Sequence, residues 1–133
     1  MATLTSKLVL TSNDLTGDVL SLSNTTTFTA SHTSGLSRSA ITSTAIGTTS
    51  GQVTVDTADT YGSPAIIYIK NTHDYHASNN VIYLYHSGDS DGMFWQIHGG
   101  QFAYMPVSGD FDLKAYTSTS GTIIEYMVIG TEA

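Results

Sequence analysis

Two imidazoles and a carboxylate stand within four residues of one another at His73, Asp74 and His76, in the stretch "KNTHDYHASNN". These are metal-ligand types, and zinc takes three or four of them arranged tetrahedrally. On a helix the three-residue spacing would put both histidines on one face. Here the stretch leaves an apolar run, "AIIYIK", and enters another, "NVIYLYH", so it reads as a loop between strands. The nearest further imidazole, His86, lies at the far end of the second run. In a hairpin it would sit about 30 Å from the loop at the usual strand rise. Three ligands within four loop residues is a strained set, and His73, Asp74, Tyr75 and His76 are expected to form an interface loop and hold no metal.

Other candidates for chemistry resolve in the same way. "SGDSDG" (Ser87–Gly92) has the Asp and Gly of a calcium loop, but Met93, Phe94 and Trp95 follow where further oxygen ligands would be needed, and a tight turn uses the same residues. "DTAD" (Asp56–Asp59) is sparser still. Serine is too abundant for its co-occurrence with His and Asp to mean a triad, and no G-x-S-x-G elbow is present. A glycosidase needs two positioned acids. The only glutamates are Glu125 and Glu132, and Glu125 alternates with Ile124 and Tyr126 on what reads as the outer face of a strand. "IHGGQ" lacks the helix and lysine of a phosphate loop. The residues point to no catalytic centre, no cofactor and a non-enzymatic protein.

The elements that would position these residues are strands. "KLVLT", "DVLSLS", "SRSAIT" and "GQVTVD" alternate polar with apolar residues; "AIIYIKN" and "NVIYLYH" are apolar on both faces; "MFWQIH", "QFAYMPV", "FDLKAYT" and "TIIEYMVIG" follow. Turn chemistry separates them at "SND", "TTSG", "HASNN", "HGG" and "TSTSG". No window carries helical spacing. The pattern predicts an all-β, antiparallel β-sandwich, jelly-roll-like, of about eight to ten short strands. It reads as a single domain over residues 1–133, with about residues 1–30 an extended N-terminal arm or edge strand. In Trp95's strand, Met93, Trp95 and Ile97 share a face, which is expected to be core.

Composition narrows the partners. Only 11 % of the 133 residues are charged and the net charge is −7. Ser and Thr, 38 residues together, supply the polar surface. The four basic residues, Lys7, Arg38, Lys70 and Lys114, do not cluster in sequence, which argues against nucleic acid and against a polybasic membrane contact. There is no cysteine, hence no disulfide or thiol chemistry. The start "MATLTSKLVLTSNDL" lacks the pattern of a signal peptide, so synthesis in a cytoplasm is expected.

From Ile66 to Gly130 the order of strands and turns resembles small virion structural proteins of tailed bacteriophages. The motifs are "IYIKNTHDYHASNNVIYLYH", "FWQIHGGQFAYMPV" and "DLKAYTSTSGTIIEYMVIG". The likeness is to the β-sandwich proteins that decorate or cement capsids, and the Thr-rich start is similar to theirs. The resemblance implies a component of the virion, on the capsid surface, made in the host cytoplasm. Its partners would be the major capsid protein or other virion proteins, and it would be a homo-oligomer, a trimer by the local three-fold positions of a capsid. A neck, tail or fibre-associated part is the alternative, and a carbohydrate- or receptor-binding module using Tyr75 is another. No catalytic or binding residues come with the resemblance.

Overall fold

Alternation along the sequence converts into strands wherever a sheet buries one face. The computed structural model describes residues 2–15, 17–47, 53–55, 65–86, 93–107 and 113–130. Among them are eleven strands: β1 (Ala2–Ser12), β2 (Leu20–Ala30), β3 (His32–Thr33), β4 (Ser37–Ile41), β5 (Val53–Val55), β6 (Ala65–Asn71), β7 (Ile82–His86), β8 (Trp95–Ile97), β9 (Phe102–Val107), β10 (Leu113–Thr117) and β11 (Thr122–Gly130). The described residues contain no helix. Ten strands coincide with the alternating or apolar runs; the two-residue β3 has no sequence signal of its own.

The last nine strands form two antiparallel sheets. One runs β4-β11-β6-β9, with β3 continuing the β4 side of β11, and the other runs β5-β10-β7-β8. Every connection from β4 to β11 except β7–β8 therefore passes from one sheet to the other, which is the winding of a jelly roll. Between the sheets lie Ile41, Ile67, Ile69, Ile82, Leu84, Ile97, Leu113, Ala115, Ile124 and Val128. They come from alternate positions of their strands, as pleating requires, and each large side chain contributes about 1.5–3 kcal/mol by leaving water.

The first thirty residues pair with each other. β1 and β2 form a hairpin in unbroken register from Ala2↔Ala30 to Ser12↔Leu20. One face carries Leu4 opposite Phe28, Leu8 opposite Asn24 and Leu10 opposite Leu22; the other carries Thr and Ser with Lys7 and Val9. Only the base of the apolar face is covered. Leu4, Phe28 and Ala30 pack with Met127 on Ile66 and Ile129, on the outer side of the β4-β11-β6-β9 sheet. Leu8, Leu10 and Leu22, farther out, remain 39 to 45 % exposed.

Candidate functional site

At one end of the jelly roll the β6–β7, β8–β9 and β10–β11 loops meet around Asn71, the last residue of β6. Its side chain is fully buried. Nδ2 donates to the carbonyls of Asn80, at 2.5 Å, and Ile97, at 2.9 Å, while Oδ1 accepts from the His73 N–H at 3.2 Å. The Asn71 backbone is bonded to the β8–β9 turn through Gln101 and Gly100. Asn80 adopts φ 53°, a conformation asparagine tolerates better than most residues, and its Oδ1 accepts from the Thr122 hydroxyl. Thr117 donates in turn to Thr122 at 2.7 Å. No buried side-chain nitrogen or oxygen among the described residues lacks a partner.

That knot fixes the loop containing the two histidines. His73 accepts at Nε2 from the backbone N–H of Ile123 at 3.1 Å, tying the loop to β11. His76 accepts at Nδ1 from the N–H groups of Ser78 and Asn79, at 3.1 and 3.0 Å. An imidazole nitrogen that accepts carries no proton, so these contacts fix each ring's tautomer with the proton on the other nitrogen. His98 reaches the His76 carbonyl through Nδ1 at 3.1 Å, and the Tyr75 ring lies 5.6 Å from the His98 ring. Gly99 has no room for a side chain: a Cβ there would run into the backbone of Asp74 and His73. Among the described residues no three of His, Asp and Glu converge to hold a metal ion. The sequence pattern found the residue types; the structure gives His73 and His76 backbone amides as partners and leaves Asp74 and Tyr75 facing water, Tyr75 at 69 % exposure. Ser87–Gly92, Asp56–Asp59 and Glu132 lie outside the described residues.

A second feature is an aromatic seam. β8 and β9 each end their sheet, so the sandwich is open between them. Trp95 points to the same side of β8 as the core residue Ile97, as alternation requires, yet it is 36 % exposed, and among the described residues no strand continues the sheet beyond it. This corrects its expected place in the core. Phe94 packs on Trp95 with ring centres 4.6 Å apart. Phe102 and Tyr104 on β9 are 61 and 38 % exposed. At about 200 Å² per side chain these four rings leave about 350 Å² of aromatic surface in water, about the size of the largest apolar patch on an ordinary monomer, which is often functional. A groove of about 940 Å³ runs from Trp95 past Tyr68 and Tyr104 to the middle of the hairpin, where Lys7, Leu8 and Asn24 line it. Proline inside the run "FAYMPV" is the sequence signal that this strand lies at an edge.

Charge around the groove is organised by Glu125, which lies on the outer side of its strand and is nearly buried. Arg38 Nε donates to it at 2.7 Å and the Tyr68 hydroxyl at 2.9 Å. These two hydrogen bonds, Arg38's first, hold the Glu125 carboxyl below the usual range against the opposing effect of desolvation. Burial foremost, then the bond to Glu125, pushes the Tyr68 hydroxyl above its usual value. The trio is a closed structural unit in which the Glu125 carboxylate is committed to Arg38 and Tyr68. The groove can bind apolar and planar groups.

Comparison with known proteins finds no matching family model, no matching curated protein and no matching solved structure.

Proposed function

We propose that this protein is a non-enzymatic structural component of a virion, a decoration (cement) protein that braces neighbouring major capsid subunits. One observation carries the reading: the sandwich is left open between β8 and β9, with Phe94, Trp95, Phe102 and Tyr104 in water. A protein that works alone blunts such edges with charge or covers them. Here Lys7 is the one charged residue among the described residues that line the groove. Burial against other subunits is the remaining way to cover the seam. The loop end, stiffened by Asn71, Gly99 and the histidines, supplies a second, preorganised surface at Tyr75. Its contacts would be made at little conformational cost. The virion role itself rests on the resemblance of the residue 66–130 pattern to such proteins. Cryo-electron microscopy of particles made with and without this gene product tests it. Density on the capsid shell that disappears with the gene is expected; density at the neck or tail assigns the alternative virion role, and particles that never carry the protein refute both.

The exposed Tyr75 ring, supported by His98, favours one second reading: a sugar face stacked on Tyr75 in a receptor-binding module. Glycan-array binding lost in Tyr75→Ala would support it, and a silent array would end it.

A further inference from the structure

The outer part of the β1–β2 hairpin poses a problem of its own. A two-stranded hairpin is marginal in water unless its apolar face is covered. Beyond Leu4 and Phe28 none of the described residues covers this one. Leu8, Leu10 and Leu22 are exposed, and the turn adds Leu15 at 74 % and Val19 at 68 %. The apolar groove begins where the hairpin leaves the body, against Ser6–Val9, Asn24 and Thr26. The hairpin's own turn cannot fill it. The ladder stays paired from Leu8↔Asn24 out to Ser12↔Leu20, four residues farther on. That places the turn about 14 Å beyond the groove at strand rise.

The charges of the two surfaces match. Among the described residues that line the groove Lys7 is the charged one, and the nearby Glu125 is already paired with Arg38. In the turn and the residues flanking it, from Ser12 to Leu22, stand Asp14 and Asp18 and no base. The turn also offers the apolar side chains, Leu15 and Val19, that an aromatic groove accepts. We infer that the occupant of the groove is the hairpin turn of a second copy of this chain, with Leu15 and Val19 against Trp95, Tyr68 and Tyr104 and with Asp14 and Asp18 near Lys7. Each copy gives one turn and takes one, so copies join into a ring where the rotation between neighbours closes and into an open filament where it does not. The inference shares with the proposed function the need for a covered seam, but it names the chain itself as what covers it.

The test is the mass of the full chain by sedimentation equilibrium at low salt, across micromolar concentrations. An oligomer is expected. Lys7→Glu alone, and Asp14→Lys with Asp18→Lys, should each weaken association at least tenfold. The variant carrying all three reversals should recover it, because the pairing is restored with its signs exchanged. Leu15→Asp with Val19→Asp should abolish association while far-ultraviolet circular dichroism stays that of the wild type, since both side chains are exposed. A monomeric wild type overturns the inference. So does an oligomer indifferent to the turn substitutions, or a triple variant no better than the single reversals. Particle imaging can still find the protein on capsids in any of these cases, so failure here is separate from failure of the proposed function.

Discussion

Asn71→Ala is the most informative single perturbation of the loop end. The substitution removes three hydrogen bonds at a fully buried position: two from Nδ2, to the carbonyls of Asn80 and Ile97, and one accepted from the His73 N–H. A buried polar group left without its partner costs about 1–3 kcal/mol. Three such groups set an upper range of about 3–9 kcal/mol. Water entering the space left by the shortened side chain brings the expected loss toward the lower end, about 3 kcal/mol. For a chain of this size each kcal/mol lowers the melting temperature by about 3–5 °C, so thermal unfolding should fall by about 10 °C or more. Asn71→Asp sharpens the test. It keeps the volume and the acceptor but turns an oxygen toward two carbonyls. Burial and those carbonyls raise the folded-state pKa of the new carboxyl above its unfolded value of about 3.9. The folded state then holds the proton longer, so stability relative to wild type falls as pH rises through the folded pKa and is regained below the unfolded one. The assay is differential scanning fluorimetry of wild type and both variants at pH 4 and pH 7. Asn71→Ala melting within about 2 °C of wild type, or an Asn71→Asp deficit equal at both pH values, would refute the reasoning.

Three further outcomes follow from single contacts. Gly99→Ala drives a Cβ into the backbone of Asp74, whereas Gly121→Ala meets open space and only the strain of φ +93°; Gly99→Ala should therefore be the more damaging, by about 1–3 kcal/mol for the forced backbone shift, in parallel urea titrations. His73→Phe should raise amide exchange at Ile123, while His73→Gln, whose side-chain oxygen can still accept that N–H, should preserve protection. Arg38→Ala removes the largest influence holding the Glu125 carboxyl low. Its titration, followed by carboxyl-carbon NMR, should move up toward the ordinary carboxylate range. In the wild type the stability that Glu125 supplies is present above that range and lost as pH falls through its lowered folded value; in Arg38→Ala this pH-dependent contribution should shrink, because the folded value moves toward the unfolded one.

What the sequence discloses and what it hides follow from the range of the forces involved. β6 and β7 are legible because "AIIYIKN" and "NVIYLYH" are apolar on both faces, a local property. The second half of β2, nearest the body, is not: in "NTTTFTA" threonine alternates with threonine, so there is no apolar–polar contrast to read, although β-branched residues favour the strand. Which strands neighbour each other is hidden as well, because β11 pairs with β4 some 80 residues earlier. Trp95 shows both sides. Alternation gives its direction correctly, but its exposure depends on β8 being last in its sheet, which no local pattern encodes. For the neighbouring β9, Pro106 did carry that information. At the loop, His73 and His76 are visible as residue types, but the partner of His73 is an amide fifty positions away.

The central place of β11 also bears on how the chain is made. β11 lies between β4 and β6 and supplies Ile124 and Val128 to the core. A ribosome releases residues in order, so β4 and β6 wait, with apolar edges exposed, until nearly everything described here has emerged. The β1–β2 hairpin closes on its own neighbours and can form early. The rest is dominated by distant pairings, the pattern associated with slow folding and with aggregation of incomplete chains. Until β11 has emerged and closed its sheet, β4 and β6 stay open to wrong partners.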